Sequence, residues 1–360
     1  ITVTIYGNRL DSIRRKMASS NIDAVLVTKR VNYVYLSGFT GTAAILFISR
    51  ERAVLLTDFR YVEQAAKQAP DYEIVRYVTD QYEEINRLIE SEGIKRLAFE
   101  ECHLSYRQYT QYLEKLETDE FVPLGGMIEE LRSIKDETEI SLIRKAVDIA
   151  DEAFSHILGV IKPGITELDI ADELEHHMKR LGAEGPSFET IVASGKRASM
   201  PHGVASEKII EHGDVVTLDF GAIYKGYCSD ITRTVFVGKP EGKLDRIYRI
   251  VLDANRKGLE AVRSGILAKE ADSAAREFIK EAGYGDNFGH GLGHGVGLEI
   301  HEDPTLSPRG DIVLKDGMVV TVEPGIYVTG LGGVRIEDMA VVNGDTVLVL
   351  TKSPKEMIVL

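Results

Sequence analysis

Apolar residues recur in two alternating rhythms through the first third of the chain. Leu10, Ile13 and Met17 stand at helical spacing within NRLDSIRRKM (8–17), and DAVLVT (23–28) reads as a buried strand. AAILFIS (43–49) and AVLLT (53–57) read as a hairpin closed by the charged turn 50–52. Helices are expected at 61–67, 81–91 and 106–116, and strands at 73–77 and 96–100. Strands alternating with helices predict a small α/β domain. NYVYLSGFTG (32–41) and TDFRY (57–61) read as turn chemistry and half-buried packing, with a place in a pocket wall left open.

The cluster PLGGM (123–127) marks a boundary, giving domains 1–126 and 127–360. Beyond it Asp136 and Glu139 form a capping box that opens a long amphipathic helix. Ile140, Ile143, Ala146, Val147, Ala150 and Phe154 fall on one face of that helix.

The second domain repeats itself. IKPGITELDIADELEHHMKRLGA (161–183) aligns without gaps to VRSGILAKEADSAAREFIKEAGY (262–284). HGDVVTLDFG (212–221) aligns to DGMVVTVEPG (316–325), and GYCSDITRTV (226–235) more loosely to GVRIEDMAVV (333–342). Each half reads helix, helix, strand, strand. The expected fold is α+β: two halves related by a pseudo-two-fold, sharing one curved antiparallel sheet with helices outside.

A net charge of −14 argues against a nucleic-acid or anionic-membrane surface as the main partner. Cys102 and Cys228 are the only cysteines and are far apart, the usage of a reducing compartment, and no apolar run is long enough for a membrane span. Cytoplasmic location is the expectation.

Chemistry concentrates in HGLGHGVGLEIHE (290–302), which holds three of the nine histidines: His290, His294 and His301. The repeat then sets Asp219 on Glu323 and Asp230 on Glu337. All four acids stand in strand-like apolar runs, where a charge is costly unless paired or metal-bound. If they converge, they cannot all stay ionised without cations between them. The bland alternative, some of them facing water from an edge strand, fits poorly with such apolar flanks. Four carboxylates and one imidazole make a hard ligand set suited to two divalent ions about 3.5–4 Å apart. Mn²⁺ or Co²⁺ suits it better than Zn²⁺, with Fe²⁺ a further option.

These residues, with DFGAIYKGYCSDITRT before them and EPGIYV and GGVRIED after them, closely resemble the prolidase and aminopeptidase P peptidases of the pita-bread superfamily. NYVYLSGFTG and TDFRY resemble that family's N-terminal domain. The resemblance implies that Asp219, Asp230, His294, Glu323 and Glu337 hold two metal ions, Asp230 and Glu337 bridging both. It further implies a hydroxide between the metals attacking the scissile carbonyl, with Glu323 relaying its proton to the leaving amine. His202, in SMPHG, and His301 match histidines that steady substrate and intermediate. Arg335, two residues before Glu337, is expected to orient the carboxylates, and His290 to support the pocket. His103, His156, His176, His177 and His212 receive no role.

The family's usual substrates are short peptides with proline after the cleaved bond, a tertiary amide without an N–H. Thr305 stands where short prolidases often carry an arginine, with Arg309 nearby, yet the short chain tilts the expectation to a dipeptidase. An Xaa-Pro aminopeptidase acting on longer peptides is the alternative, and a non-catalytic peptide-binding relative is a third. A homodimer is also implied.

Overall fold

Thr4 starts the first helix, its hydroxyl accepting the Gly7 N–H, and α1 (Ile5–Ser19) buries Leu10, Ile13 and Met17 as one stripe. This computed structural model describes residues 4–240 and 242–360, and packing divides the chain into two units, up to Arg132 and from Ser133 onward.

In the first unit, β1 (Ala24–Val27) is followed by α2 (Arg30–Ser37), the hairpin β2 (Ile45–Ser49) and β3 (Ala53–Thr57), and α3 (Val62–Gln68). Then come β4 (Glu73–Arg76), α4 (Gln81–Glu92), β5 (Arg96–Phe99), α5 (Tyr106–Lys115), β6 (Glu120–Pro123) and α6 (Met127–Ser133). The six strands form one mixed sheet in the order β4-β3-β2-β1-β5-β6. Leu26, Phe47, Val54 and Leu97 of that sheet pack against Ile85 and Ile89 of α4 and Tyr112 of α5.

Two stretches differ from the sequence reading. NYVYLSGFTG begins as helix: Asn32, Tyr33, Tyr35 and Leu36 of α2 are buried. The reason is the buried carboxylate of Glu100, which accepts the Thr28 and Lys29 backbone N–H groups and the Asn32 amide at 2.6–2.7 Å. An anion at a helix start satisfies free N–H groups and favours the dipole, overriding the local turn preference. Likewise β6 and α6 occupy a segment whose glycines suggested only a boundary.

The second unit opens with α7 (Glu137–Ile157), whose Asp136–Glu139 capping box is formed and whose apolar face is buried. There follow α8 (Glu167–Arg180), β7 (Gly185–Pro186), β8 (Ile191–Ser194), β9 (Val215–Phe220), β10 (Ala222–Tyr224), β11 (Tyr227–Cys228) and β12 (Ile231–Phe236). The second copy runs through α9 (Lys243–Ala261), α10 (Ala268–Glu281), β13 (Gly293–Gly295), β14 (Glu302–Leu306), β15 (Val319–Val322), β16 (Gly325–Val328), β17 (Gly332–Arg335) and β18 (Asp338–Asn343). β19 (Thr346–Val349) and β20 (Ile358–Val359) complete the chain. Helices α8 and α10 have the same length, 14 residues, and β9 and β15 begin at equivalent positions of the aligned repeat. Each copy also inserts a strand, β8 or β13, that the sequence reading omits.

With β11-β10-β7 and β16-β17 forming small sheets of their own, the main sheets are β20-β12-β9-β8 and β14-β13-β15-β18-β19, antiparallel apart from the β12–β20 pair. They meet where the Glu337 N–H donates to the Thr232 carbonyl (3.1 Å) and the Thr234 hydroxyl donates to the Arg335 carbonyl (2.8 Å). Alternation along β9 sends Val216, Leu218 and Phe220 to the helices α7 and α8 and Asp219 to the opposite face. Helices α9 and α10 cover the second sheet through Val320, Val322 and Ala340 in the same way.

Arg233 locks this seam. Fully buried, it donates to the carbonyls of Thr232, Glu337, Ser353 and Pro354 and pairs with Asp338 at 2.8 Å. Removing it would leave four carbonyls without this donor and Asp338 with Lys355, at 2.7 Å, as its remaining charge partner. Arg233→Met is therefore expected to destabilise the second unit by about 3–5 kcal/mol, read by urea denaturation. A loss below about 1 kcal/mol would reduce Arg233 to ordinary packing.

Candidate metal centre

Asp219 lies inside β9. The other three acids stand at strand ends instead of within strands: Asp230 just before β12, Glu323 just after β15, and Glu337 between β17 and β18. A strand end frees the carboxyl from the alternation of an apolar ladder, so the side chains can converge on one pocket. Asp219, Asp230 and Glu337 are buried and Glu323 is half-buried.

His294 comes to the acids on β13 because its glycines admit backbone. A Cβ on Gly293 would lie 2.0 Å from the Thr321 carbonyl oxygen, and one on Gly295 would lie 2.3 Å from that of Asp303. Asp272 of α10 accepts the Leu292 N–H at 3.0 Å, and its partner Arg276 donates to the His290 carbonyl at 2.6 Å, fixing the run from below.

Donor atoms of Asp230, His294 and Glu337 lie within 4.8 Å of one another. His294 Nε2 stands 3.5 Å from Asp230 Oδ2 and 3.4 Å from Glu323 Oε1. Its Nδ1 faces the Gly295 carbonyl at 3.1 Å, which places the ring proton there and leaves the Nε2 lone pair for the acids' side. Burial pushes the His294 pKa down to about 4, so at neutral pH the ring is neutral and these separations are not ion pairs. They suit two donors sharing an ion at about 2.1 Å each, which stand roughly 3.0–3.4 Å apart.

Arg335 gathers the surroundings. Its guanidinium donates to Asp219 Oδ2 (2.6 Å), Thr232 Oγ1 (3.1 Å), the Tyr327 hydroxyl (2.8 Å) and the Pro201 carbonyl (3.1 Å). Thr232 passes the link on to Glu337 Oε2 at 2.8 Å, and Tyr327 to His290 Nε2 at 2.9 Å. Thr321 accepts the His294 N–H (3.0 Å) and donates to Glu323 Oε1 (3.2 Å). His202 is exposed, next to Pro201, and His301 is exposed with its ring 4.4 Å from that of His294. Thr305 is the cross-strand partner of His294. Sequence reasoning passed over Tyr327, Thr232 and Thr321. Tyr327 follows two residues after Gly325 in EPGIYV, and a tyrosine among glycines was the available signal.

Burial, reinforced by the neighbouring carboxylates, raises the pKa values of Asp230 and Glu337 well above the carboxylate range. Burial likewise pushes Glu323 up to about 8, with Arg335 opposing. Asp219 Oδ1 is buried with no hydrogen-bond partner. A buried, unpartnered carboxylate oxygen beside acids that resist ionisation is what a cation site looks like without its cation's charge.

Residues 141–344 match the model of metallopeptidase family M24, and residues 9–134 that of the creatinase/prolidase N-terminal domain. The chain belongs to metallopeptidase family M24. It is a hydrolase, a metallo-exopeptidase that works with divalent metal ions. This M24 peptidase is 44% identical over 353 residues to the Xaa-Pro dipeptidase of Pyrococcus furiosus, covering 97% of this chain and 99% of the relative. The solved Xaa-Pro dipeptidase of Bacillus anthracis superposes with a TM-score of 0.97 at 50% identity, over 99% of this chain and 100% of that one. The X-Pro aminopeptidase of Thermotoga maritima superposes at 0.90 and 40% identity, over 98% and 99%. The carboxylates, the neutral imidazole and the orphaned Asp219 oxygen fit the divalent ions that the M24 family uses.

A carboxyl with a higher pKa folded than unfolded takes up a proton on folding, so the metal-free fold loses stability as pH rises from about 4.5 towards 8. Divalent ions displace those protons. The melting temperature of the metal-loaded M24 peptidase should therefore exceed that of the metal-free form by a margin that widens across this window. A constant margin from pH 5 to 8 would contradict the raised carboxyl pKa values.

Proposed function

We propose that this M24 peptidase hydrolyses the Xaa-Pro bond of short peptides, as a dipeptidase, using two divalent ions held by Asp219, Asp230, His294, Glu323 and Glu337. The reading is carried by the convergence of these acids with His294 at the seam of the two repeat halves. Asp230 and Glu337 would hold the ions, together with the other three; Mn²⁺ or Co²⁺ would suit so oxygen-rich a set. Bound there, such ions supply a hydroxide nucleophile near neutral pH and polarise the scissile carbonyl.

The protein's own groups have separable tasks. Glu323, half-buried and 3.4 Å from His294 Nε2, would take a proton from the nucleophile and return it to the leaving proline nitrogen. His202 and His301, both exposed around the pocket, are placed to donate to the substrate carbonyl and to the oxyanion that develops from it. Arg335 holds Asp219 directly and Glu337 through Thr232, keeping the acids in place while charge changes. His290, fixed between the Gly291 carbonyl and Tyr327, supports the wall and stays neutral because burial lowers its pKa to about 4.

The dipeptidase assignment rests on the dipeptidase relatives at 44% and 50% identity. The Thermotoga maritima structure, named an X-Pro aminopeptidase, favours the second reading, cleavage of longer Xaa-Pro peptides. Thr305, opposite His294, brings no charge to hold a free proline carboxylate, and the exposed Arg309 lies beyond the strand end. A homodimer goes with the proposal.

Chelated protein should lose activity on Xaa-Pro and regain it with Mn²⁺ or Co²⁺; insensitivity to chelation would remove the metal mechanism. Xaa-Pro should be cleaved in preference to Xaa-Pro-Yaa, and the reverse order would make the enzyme an aminopeptidase. Glu323→Gln should lower kcat by about 10²–10⁴-fold, whereas a loss under threefold would remove Glu323 from proton transfer. Light scattering should give the mass of a dimer, and a monomer would withdraw that part.

A further inference from the structure

A second group of ligand-type side chains lies on the helical side of the first repeat half. His156 is in the last turn of α7, and Glu173 and His177 stand one turn apart on α8. All three are half-buried, and one donor atom from each lies within 4.8 Å of the other two. The imidazoles of His156 and His177 stack face to face, centroids 3.9 Å and planes 4° apart. His156 Nε2 stands 2.6 Å from Glu173 Oε1.

We propose that His156, Glu173 and His177 bind a single Zn²⁺ ion, separate from the peptidase centre, that staples α7 to α8. Two imidazole nitrogens, one carboxylate oxygen and a water make a tetrahedral set that Zn²⁺ accepts. Donors about 2.0–2.1 Å from one ion stand roughly 3.4 Å apart, so His156 and Glu173 must open from 2.6 Å and one imidazole must turn out of the stack to aim its in-plane lone pair at the shared ion. His156 and Glu173 are about one-third exposed and have the freedom to do so.

Two features prepare the site. The stack brings the two imidazoles together on one side of the α7–α8 contact, with Glu173 already in reach of His156. Glu152 and Glu173 face His177 with carboxylates, against the single guanidinium of Arg180. Glu173 also lines an open depression of about 480 Å³ with Asp169, Asp172, Glu175, His176 and Lys179, a mostly acidic approach for a cation. The two metal sites also differ in kind. Nitrogen-rich donors favour Zn²⁺, while the carboxylate set at the seam accepts harder ions. An ordinary surface ion pair is the competing description of His156 and Glu173, and it needs no second histidine.

The test uses untagged full-length protein dialysed against micromolar free Zn²⁺, with bound metal counted by elemental analysis. The wild type should retain one equivalent more than His177→Ala, and Mn²⁺-reconstituted peptidase activity should be equal in the two. Zn²⁺ should also slow amide exchange across 150–180 at least tenfold in the wild type and leave His177→Ala unchanged. Equal zinc counts, or equal exchange with and without Zn²⁺, would overturn the site. Should His177→Ala fold poorly, His156→Gln supports the same comparison with the same two outcomes.

Discussion

Four carboxyl groups sharing one poorly hydrated pocket is the constraint around which the second unit is organised. Water would solvate each acid separately; here the chain withdraws Asp219, Asp230 and Glu337 from it and leaves Glu323 half covered. Two responses are visible. Arg335 supplies a permanent positive charge against Asp219, and its Thr232 relay supports Glu337. The remaining acids drift towards the neutral form, as the raised pKa values of Asp230, Glu337 and Glu323 express. An arrangement that resists ionisation by itself and gains it with divalent ions links metal load to fold stability.

The seam explains why the acids come in pairs. Duplication gives each half one carboxyl on or just past its β9 or β15 strand and one just before β12 or β18, and the two sheets abut where the Glu337 N–H meets the Thr232 carbonyl. Arg233 and Arg335 then serve different ends from alternate strands. Arg233 is spent on carbonyls and Asp338, holding backbone to backbone; Arg335 reaches into the pocket and holds carboxylate to hydroxyl. Symmetry is broken by the glycine run, where contact with the Thr321 and Asp303 carbonyls leaves no room for a Cβ and lets His294 enter from one side alone.

Much of this could be read from the chain. Aligning α8 with α10 and β9 with β15 needed only apolar spacing and glycine stops, and the same alignment superposed Asp219 on Glu323 and Asp230 on Glu337. What escaped depended on distant partners. Helix α2 looks like a turn until Glu100, about seventy residues on, is seen accepting its first N–H groups. Strand ends, where three of the four acids sit, cannot be located by a period-two pattern to within the one residue that matters. Tyr327 gains meaning only because His290 and Arg335 arrive on either side of it. His156 and His177 lie in unremarked helical contexts in one dimension, and only the packing of α7 on α8 stacks their rings.

The same electrostatics distinguishes structural from chemical roles among the histidines. His290 and His294 are both driven to about 4 by burial, but His290 has each nitrogen engaged, by the Gly291 carbonyl and Tyr327. His294 turns Nδ1 to the Gly295 carbonyl and Nε2 towards Asp230 and Glu323. A neutral imidazole with one committed nitrogen is a ligand in waiting; with both committed it is a strut. His202 and His301 differ again, being exposed where His290 and His294 are half-buried. The division of labour along HGLGHGVGLEIHE thus follows from which ring nitrogen the backbone leaves unsatisfied, more than from how many histidines the run contains.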